Sequence, residues 1–559
     1  MVSFSYKLAN EKTNSVSKDT FNRLYVFGDS LSDPGNLFNS TTAVNDIFSN
    51  IDPNLAQLAP IQPPVPPYDN QGKFTNGNPQ DPNRSIWVDF LADDLDIPLV
   101  VSSTSLTVNP DPSFLPPPNS SLAPAAVINT DSSLVENNFN YGGQTAANSV
   151  NFAFGGAKSG TENILNPDPI PPNPPVPGLN PNLPGVSGQI NSFIDDIDDL
   201  STEQTNELGN GLYAIWAGAN DIDPDLSGDA IDLNQPVDNL EISIKNLYND
   251  AGASNFIVFN VPDLGARPIV EDPKVAQNLT NATEKYNELL IQKISDLDSE
   301  LSDINITPVD VKSLAEFTID NPEAFGIQNT EDSFLTSATV GENPDEYLSW
   351  DGNHPTRAFH EIIGEFVYNN LQAANNPENA LVVGDSGINI LIGGSGNDTL
   401  KGGSGNDLLN AGFGDDTLKG GVGDDLLNAG FGDDKLNGGS GNDKLNGSIG
   451  NDTLKGGVGD DLLDGGIGDD KLNGGLGKDT YIFGSDILDG QMNIDTIDCF
   501  QADDILDFSS YLNAGGTISF TRESEHLLKV NLLNLSNEIE DVVNISGSQT
   551  ALSAAEAAI

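Results

Sequence analysis

Short apolar runs alternate with amphipathic stretches between residues 21 and 375. The runs LYVFG, LYAIWAG and NFIVFNVPD predict short buried strands. The stretch NATEKYNELLIQKISDLDSEL instead spaces its apolar residues as an amphipathic helix does. Strands that alternate with helices predict an α/β domain with a parallel sheet flanked by helices. Three proline-rich stretches interrupt the alternation and predict surface loops.

A second pattern, with a period of nine, runs from Leu391 to about Phe483. An Asp recurs every nine residues, a Gly stands two places before it, and an apolar residue stands two places after it. Glycine permits tight turns, and the apolar residue begins a short strand whose side chain faces a core. The aspartates of the ten repeats are Asp398, Asp407, Asp416, Asp425, Asp434, Asp443, Asp452, Asp461, Asp470 and Asp479.

This period resembles the RTX, or haemolysin-type, calcium-binding repeat. The resemblance implies a parallel β-roll in which two repeats make one coil and calcium ions lie between neighbouring turns along each edge. Calcium prefers oxygen ligands, and the repeats contain neither His nor Cys, which argues against zinc or copper. We therefore expect the ten aspartates to be ligands of structural calcium.

Acidic residues outnumber basic residues by 83 to 23, which gives a formal net charge of -60 at pH 7. Such a surface repels nucleic acid and anionic lipid headgroups unless cations bridge the two, and it attracts calcium, so a nucleic-acid partner is not expected. Cys499 is the single cysteine, so no intrachain disulfide can form. The amino terminus lacks the apolar core of a cleaved secretory leader, and no segment has the length and apolarity of a transmembrane span.

The candidate catalytic residues lie in two motifs far apart in the chain. Ser30 stands in LYVFGDSLSDPGN, directly after a predicted strand, where a side chain stands clear of the sheet. Only three histidines exist, and His354 follows Asp351 by three residues in LSWDGNHPTRAFH. This spacing lets one loop present both side chains, so that the carboxylate can orient the imidazole as a base. His360 is expected to be structural.

These motifs resemble the GDSL, or SGNH, hydrolases, which are serine esterases and lipases with a flavodoxin-like three-layer α/β/α fold. GDSLSDPGN is similar to the nucleophile block and implies that Ser30 attacks the ester. NFAFGGAKSG resembles the block whose Gly156, or Gly155 as the alternative, offers a backbone N–H to the oxyanion. GANDI implies the same role for the side-chain amide of Asn220, and WDGNHPT supplies Asp351 and His354. No cofactor is expected for this chemistry.

The two resemblances predict how the chain is divided. We expect a mobile tail over residues 1–20, a hydrolase domain over 21–375, a linker over 376–383 and a β-roll over 384–484. Residues 485–559 resemble the β-rich C-terminal flank of RTX proteins, which caps the roll and carries an uncleaved signal for a type I secretion apparatus. This resemblance implies an extracellular protein.

The sequence therefore predicts a secreted hydrolase of carboxylic esters, a lipase or esterase, whose calcium-dependent module serves export and folding. Phospholipase or haemolysin activity and carbohydrate deacetylation remain open on the same site. A calcium-binding surface protein without catalytic activity is the alternative from a different class.

Overall fold

The computed structural model describes residues 21–29, 31, 85–97, 101–102, 150–151, 153, 157–160, 185–197, 207–222, 232–338, 342–375, 379–484, 492–513, 515–534 and 539–558. The tail predicted for residues 1–20 lies outside these ranges, as do Ser30, Gly155 and Gly156.

A six-stranded parallel sheet forms the centre of the N-terminal part. Its strands are β1 (Leu24–Gly28), β2 (Val101–Ser102), β3 (Val150–Asn151), β4 (Leu212–Trp216), β5 (Asn255–Phe259) and β6 (Asn305–Val309). They lie in the order β2-β3-β1-β4-β5-β6, and β1 pairs with β3 on one side and β4 on the other. The strand order therefore reverses at β1, and ligands of open α/β sheets bind beyond the carboxyl ends of the strands at such a point.

Helices cover both faces of this sheet. They are α1 (Trp87–Asp94), α2 (Val186–Ile197), α3 (Ala219–Ile222), α4 (Asn234–Ala251), α5 (Pro273–Glu300), α6 (Val311–Asp320), α7 (Phe334–Ser337) and α8 (Arg357–Ala374). Tyr25 and Phe27 of β1 pack in one buried layer with α2, α4 and α5. Leu24 and Val26 pack in the other layer with α1, α6 and α8. The predicted three-layer α/β/α fold is confirmed.

Local sequence explains where the helices begin. Asp272 caps α5 because its side chain accepts the backbone N–H groups of Lys274 and Val275, and Pro273 occupies the first turn, where no N–H is needed. Asp310 caps α6 in the same way through the N–H of Ser313. Two further strands, β7 (Asn329–Ser333) and β8 (Tyr347–Ser349), form a separate parallel pair before α8.

The nine-residue repeats form two parallel sheets that face each other. Their strands are β9 (Leu381–Val383), β10 (Ile390–Ser395), β11 (Thr399–Ser404), β12 (Leu408–Phe413), β13 (Thr417–Val422), β14 (Leu426–Phe431), β15 (Lys435–Ser440), β16 (Lys444–Ile449), β17 (Thr453–Val458), β18 (Leu462–Asp464), β19 (Lys471–Leu476) and β20 (Thr480–Ile482). Each strand pairs with the strand two repeats away, as Leu400 of β11 does with Leu418 of β13. The repeat leucines lie buried between the two sheets, which confirms the predicted β-roll.

The C-terminal residues extend and close the roll. They form β21 (Ile494–Phe500), β22 (Ile505–Asp507), α9 (Ser509–Asn513), β23 (Thr517–Ser524), β24 (Leu527–Leu533), β25 (Ile539–Gly547) and α10 (Gln549–Ala558). Strand β22 ends the sheet that contains β10, whereas β21, β25, β24 and β23 extend the sheet that contains β9. Leu552 of α10 joins the core of the roll.

The roll packs directly on the hydrolase domain through the sheet that contains β10. Ile390 and Leu408 are buried with α8 in the core of the hydrolase, and Phe431 is buried in the layer that contains α5. We call this sheet the inner sheet and the sheet that contains β9 the outer sheet. Among the described helices, no segment is long and apolar enough to cross a membrane.

Candidate active site and calcium-binding repeats

The carboxyl end of β1 is fixed by a side chain from α2. Gln189 accepts the backbone N–H of Gly28 at 3.0 Å and donates its amide to the carbonyl of Gly28 at 2.9 Å. The N–H and the carbonyl of Gly28 are therefore both hydrogen-bonded to the Gln189 side chain at the end of the strand. Ser30, the predicted nucleophile, follows two residues later, outside the described residues.

Asp29 is buried beside this strand end. Its Oδ1 accepts the backbone N–H of Leu31 at 3.0 Å, and only 1% of the residue is exposed. Burial raises the pKa of the Asp29 carboxyl to about 7, against opposing effects of the Leu31 N–H and of His354. Asp221 contributes a further rise in that pKa. Sequence reasoning assigned Asp29 no role, because a carboxyl within a turn motif gives no sign of how deeply it will be buried.

Asp351 and His354 interact closely on the loop between β8 and α8. The Nδ1 atom of His354 lies 2.8 Å from Oδ2 of Asp351, and Oδ1 accepts the backbone N–H of His354 at 2.8 Å. The N–H of Asn353 also binds Oδ1, at 2.9 Å. Burial alone would raise the pKa of the Asp351 carboxyl, but His354 and the two backbone N–H groups lower it overall. The predicted spacing therefore does place both side chains on one loop.

The turn after β4 presents Asn220. Gly218 has φ +116°, and a Cβ at this residue would meet the ring of Tyr286 at 2.3 Å, so glycine is required there. The Nδ2 atom of Asn220, on α3, donates to the carbonyl of Ala157 at 3.0 Å and lies 3.5 Å from Oδ2 of Asp29. Asn220 is thus at the same edge of the sheet as Asp29.

Asp221 holds the segment that follows Gly156. Its carboxylate accepts the backbone N–H of Ser159 at 2.8 Å and the hydroxyl of Ser159 at 3.1 Å. Asn239 of α4 donates to the same hydroxyl oxygen at 3.1 Å. These contacts connect the GANDI motif to the NFAFGGAKSG motif. Asn220 binds Ala157, and Asp221 binds Ser159.

The structure places Asn220 3.5 Å from Asp29, directly after β1, and His354, which contacts Asp351, is close enough to Asp29 to oppose the rise in the pKa of its carboxyl. Ser30 and Gly156 lie outside the described residues, so their places in the site stay predictions. His360 is fully buried on α8, where the backbone N–H of Trp87 approaches its Nδ1 atom at 3.4 Å. His526 lies on the C-terminal part, with Nδ1 3.2 Å from the carbonyl of Gly547.

The repeat aspartates form a ladder along each edge of the roll. One carboxylate oxygen, Oδ1, accepts the backbone N–H of the residue eighteen positions earlier, as in Asp416 with Asp398 at 2.6 Å and Asp434 with Asp416 at 2.6 Å. The other oxygen, Oδ2, is buried without a hydrogen-bond partner in all ten predicted ligands. A buried charged oxygen without a partner is costly, so this arrangement calls for a cation.

Glycines allow the backbone to approach these oxygens closely. A Cβ placed on Gly402 would come within 2.3 Å of Asp407 Oδ2 and 2.7 Å of the carbonyl oxygen of Gly420. A carboxylate oxygen and a carbonyl oxygen therefore lie close together beside Gly402, and both are ligands that calcium prefers. Burial and the neighbouring Asp495 raise the pKa of the Asp470 carboxyl to about 9. The donor set fits calcium.

The ladder continues into the C-terminal part, which sequence reasoning missed. Asp470 donates its N–H to Oδ1 of Asp495 at 3.0 Å, and Asp479 donates to Asp504 at 3.2 Å. Asp541 accepts the N–H of Asn493 at 2.6 Å. The spacing in the first two pairs is 25 residues instead of 18, so the nine-residue period could not find these aspartates.

Comparison with known protein families gives a match for the N-terminal α/β domain and another for the nine-residue repeats. The family model described as GDSL-like Lipase/Acylhydrolase matches residues 24–367. This chain belongs to the GDSL-like lipase/acylhydrolase family. The model described as RTX calcium-binding nonapeptide repeat matches four times, at residues 383–418, 411–445, 419–454 and 446–481. The protein is therefore a member of an ester-hydrolase family, and it also carries calcium-binding repeats of a type found in secreted proteins.

Curated relatives resemble the GDSL hydrolase domain at low identity. The GDSL esterase/lipase At2g30310 of Arabidopsis thaliana is 24% identical over 396 residues, which cover 64% of this chain and 92% of the relative. An acetylesterase of Thermothelomyces thermophilus is 28% identical over 193 residues, 32% of this chain and 56% of the relative. The crystal structure of the extracellular lipase LipA from Serratia marcescens aligns with 13% identity over 56% of this chain and 70% of that chain, with a TM-score of 0.16.

Proposed function

We propose that the GDSL domain hydrolyses carboxylic esters with Ser30 as nucleophile, His354 as general base and Asp351 as the residue that orients the base. The observation that carries this proposal is the contact between Asp351 Oδ2 and His354 Nδ1 at 2.8 Å. A carboxylate at this nitrogen fixes the tautomer that leaves Nε2 able to accept a proton. The same carboxylate also stabilises the imidazolium that forms during the reaction.

The reaction has two halves. His354 takes the proton of the Ser30 hydroxyl while the oxygen attacks the ester carbonyl, and the resulting oxyanion is bound by the N–H groups of Ser30 and Gly156 and by the Asn220 amide. The tetrahedral adduct collapses, His354 gives its proton to the leaving alcohol, and an acyl ester of Ser30 remains. Water, deprotonated by His354, then releases the acid and restores the serine.

The hydrogen bonds of Asn220 support its role as an oxyanion donor. Its bond to the Ala157 carbonyl holds the amide in place, whereas the contact with Asp29 is long, at 3.5 Å. A long contact is easily exchanged for a stronger bond to an oxyanion. Burial raises the pKa of the Asp29 carboxyl to about 7, so below that pH the carboxyl is mostly neutral and does not repel the oxyanion.

The repeats, in the same proposal, hold structural calcium through their ten aspartates and fold when calcium binds. Extracellular calcium modules bind at roughly 10⁻⁴ to 10⁻³ M, so the roll would fold after export into a calcium-rich medium. We propose that the protein is exported by a type I secretion apparatus and acts outside the cell. The RTX repeat match supports this assignment.

A panel of p-nitrophenyl esters of increasing acyl length, with a phospholipid and an acetylated polysaccharide beside it, tests the function. We expect turnover on some of these esters, and loss of that turnover in Ser30→Ala without loss of thermal stability. Turnover on none of the substrates would favour a calcium-binding surface protein. Equal turnover by Ser30→Ala would remove Ser30 from the mechanism.

A further inference from the structure

The outer sheet of the roll has a regular basic face. Each of the five consecutive strands β11, β13, β15, β17 and β19 turns two side chains outward, on either side of its buried leucine. One of the two is a lysine in every strand, and the other is Thr or Asn. The lysines are Lys401, Lys419, Lys435, Lys455 and Lys471. We call these five residues the lysine array.

Strand register makes the array continuous. Lys401 pairs with Lys419 in the adjacent strand, and Lys435 stands in the same row as Lys471, with Thr453 between them. Neighbouring strands lie about 4.8 Å apart, so the five strands span roughly 20 Å. Two lysines side by side repel each other, and an anion bound from outside would relieve this repulsion.

The charge of the array contrasts with that of the chain. Its ten outward positions contain five lysines and no acidic residue, although the chain has 83 acidic and 23 basic residues. The acidic turn residues before β13, β15 and β19 each accept a backbone N–H group: Asp415 from Asp433 at 3.1 Å, Asp433 from Asn451 at 2.9 Å and Asp469 from Ile494 at 2.7 Å. Hydrogen bonds from Asn451, together with the charge of Lys435, lower the pKa of the Asp433 carboxyl. Within the described ranges, none of the five ammonium groups forms an ion pair.

Exposed aliphatic side chains lie in a row at the ends of the same strands. Val422 and Val458 are 58% and 52% exposed, and Leu476 is 65% exposed. Val422 lies in register between Ser404 and Ser440, and Val458 lies between Ser440 and Leu476. The corresponding row of the inner sheet contains Phe413, Phe431 and Ile449, and this row packs against the hydrolase domain.

We propose that the lysine array and the aliphatic row of the outer sheet form a docking surface for an anionic lipid layer. Lysines attract headgroup phosphates within a Debye length of the surface, and exposed aliphatic side chains enter the boundary between headgroups and acyl chains. The array lacks aromatic side chains on which sugar rings could stack, so the surface fits lipid better than an anionic polysaccharide. The proposal concerns binding alone and does not depend on the proposed function.

The repeats themselves supply the test substitutions. Lys419→Asn with Lys455→Asn introduces the residue found at Asn437 and Asn473 of the same row. Lys274→Gln with Lys478→Gln changes the net charge equally at exposed positions outside the array. A third variant, Val422→Ser with Val458→Ser and Leu476→Ser, copies the serines of neighbouring strands. All are made in the full chain with Ser30→Ala, and circular dichroism checks that the roll is folded.

Sedimentation with vesicles measures the partition coefficient in millimolar calcium. We expect binding to phosphatidylcholine vesicles that contain phosphatidylglycerol, weakened by salt, and little binding to phosphatidylcholine alone. The array variant should bind at least ~10-fold more weakly than the control variant, and the serine variant should also bind more weakly. Equal binding by array and control variants would overturn the proposal, because calcium bridges to acidic residues would then explain attachment. Absence of vesicle binding, with or without binding to soluble alginate, would overturn it too.

Discussion

Asp351 binds His354 twice, through Oδ2 to the ring Nδ1 atom and through Oδ1 to the backbone N–H, each at 2.8 Å. The carboxylate thereby fixes both the loop and the imidazole. Asp351→Asn keeps the shape of the residue but removes the charge, so we expect kcat to fall ~10³- to 10⁴-fold. Steady-state hydrolysis of a p-nitrophenyl ester measures this.

Asp345→Asn is the matched control for Asp351→Asn, because Asp345 pairs with Arg357 close to the same loop. Its kcat should stay within a few-fold of wild type. If both variants lose turnover equally, Asp351 acts by holding the loop and has no special role toward the base.

Asn220→Ala should lower kcat by ~10²-fold, the usual effect of removing one oxyanion donor. KM should change less, because the lost hydrogen bond strengthens only as charge develops on the carbonyl oxygen. Asn210→Ala, at an exposed residue before β4, serves as the control. An unchanged kcat in Asn220→Ala would exclude its amide from the oxyanion site.

Asp29 should make folding stability depend on pH. An unfolded Asp releases its proton near pH 4, but buried Asp29 keeps its proton up to about pH 7. Between these values the folded chain binds more protons than the unfolded chain, so its free energy of unfolding falls as pH rises. Asp29→Asn removes this pH-dependent loss of stability. The free energy of unfolding of Asp29→Asn relative to that of wild type should therefore increase from pH 4 to pH 7 and then level off.

Urea unfolding of wild type and Asp29→Asn in parallel buffers measures that difference, and titrating groups that do not interact with Asp29 cancel in the comparison. A difference that is constant with pH would show that Asp29 titrates normally in the folded chain.

Phe431 and Val422 occupy equivalent repeat positions, but only Phe431 is buried against the hydrolase domain. Phe431 also stacks on Phe413 with ring centroids 4.3 Å apart. Phe431→Ser should therefore destabilise the packing of the roll on the hydrolase by ~3 kcal/mol, whereas Val422→Ser should have little effect. The urea concentration at which ester hydrolysis is lost checks this, and equal midpoints for the two variants would contradict the packing of the inner sheet.

Removing calcium should unfold the roll in the full chain. Without a cation, the ten buried Oδ2 atoms have no partner that offsets the free-energy cost of their burial. They form one row along each edge of the roll, so neighbouring carboxylates in a row repel each other. Circular dichroism should lose β signal in EGTA and regain it in millimolar calcium. Asp434→Asn with Asp443→Asn should raise the calcium midpoint, and the exposed Asp433→Asn should not. Full β signal in EGTA would contradict calcium-coupled folding.

Much of the fold could be predicted from local patterns. The nine-residue period identified the roll because glycines with positive φ and buried leucines recur at fixed positions. The Asp351 and His354 pair could be predicted because three residues on one loop leave few ways to separate the side chains. Both cases depend on residues that are close in sequence.

Features that depend on long-range packing escaped prediction. The outward positions of the inner sheet carry Ile390 and Leu408, while those of the outer sheet carry Thr399 and Lys401. Apolar and polar residues therefore alternate at these positions from one nine-residue repeat to the next, and the pattern recurs every eighteen residues. The sequence shows this pattern, but it does not show that the hydrolase domain covers the apolar sheet. The burial of Asp29 likewise arises from segments that are distant in the chain.

The central claim is that His354 activates Ser30, and covalent labelling with a fluorophosphonate tests it most directly. Such reagents react with an activated serine oxygen and mimic its attack on an ester. We predict one adduct per chain, located on Ser30 by peptide mapping, with ester hydrolysis lost in proportion to labelling. The rate of labelling should fall strongly in His354→Ala and in Asp351→Asn. An adduct on another residue, or full hydrolysis after Ser30 is labelled, would contradict the account.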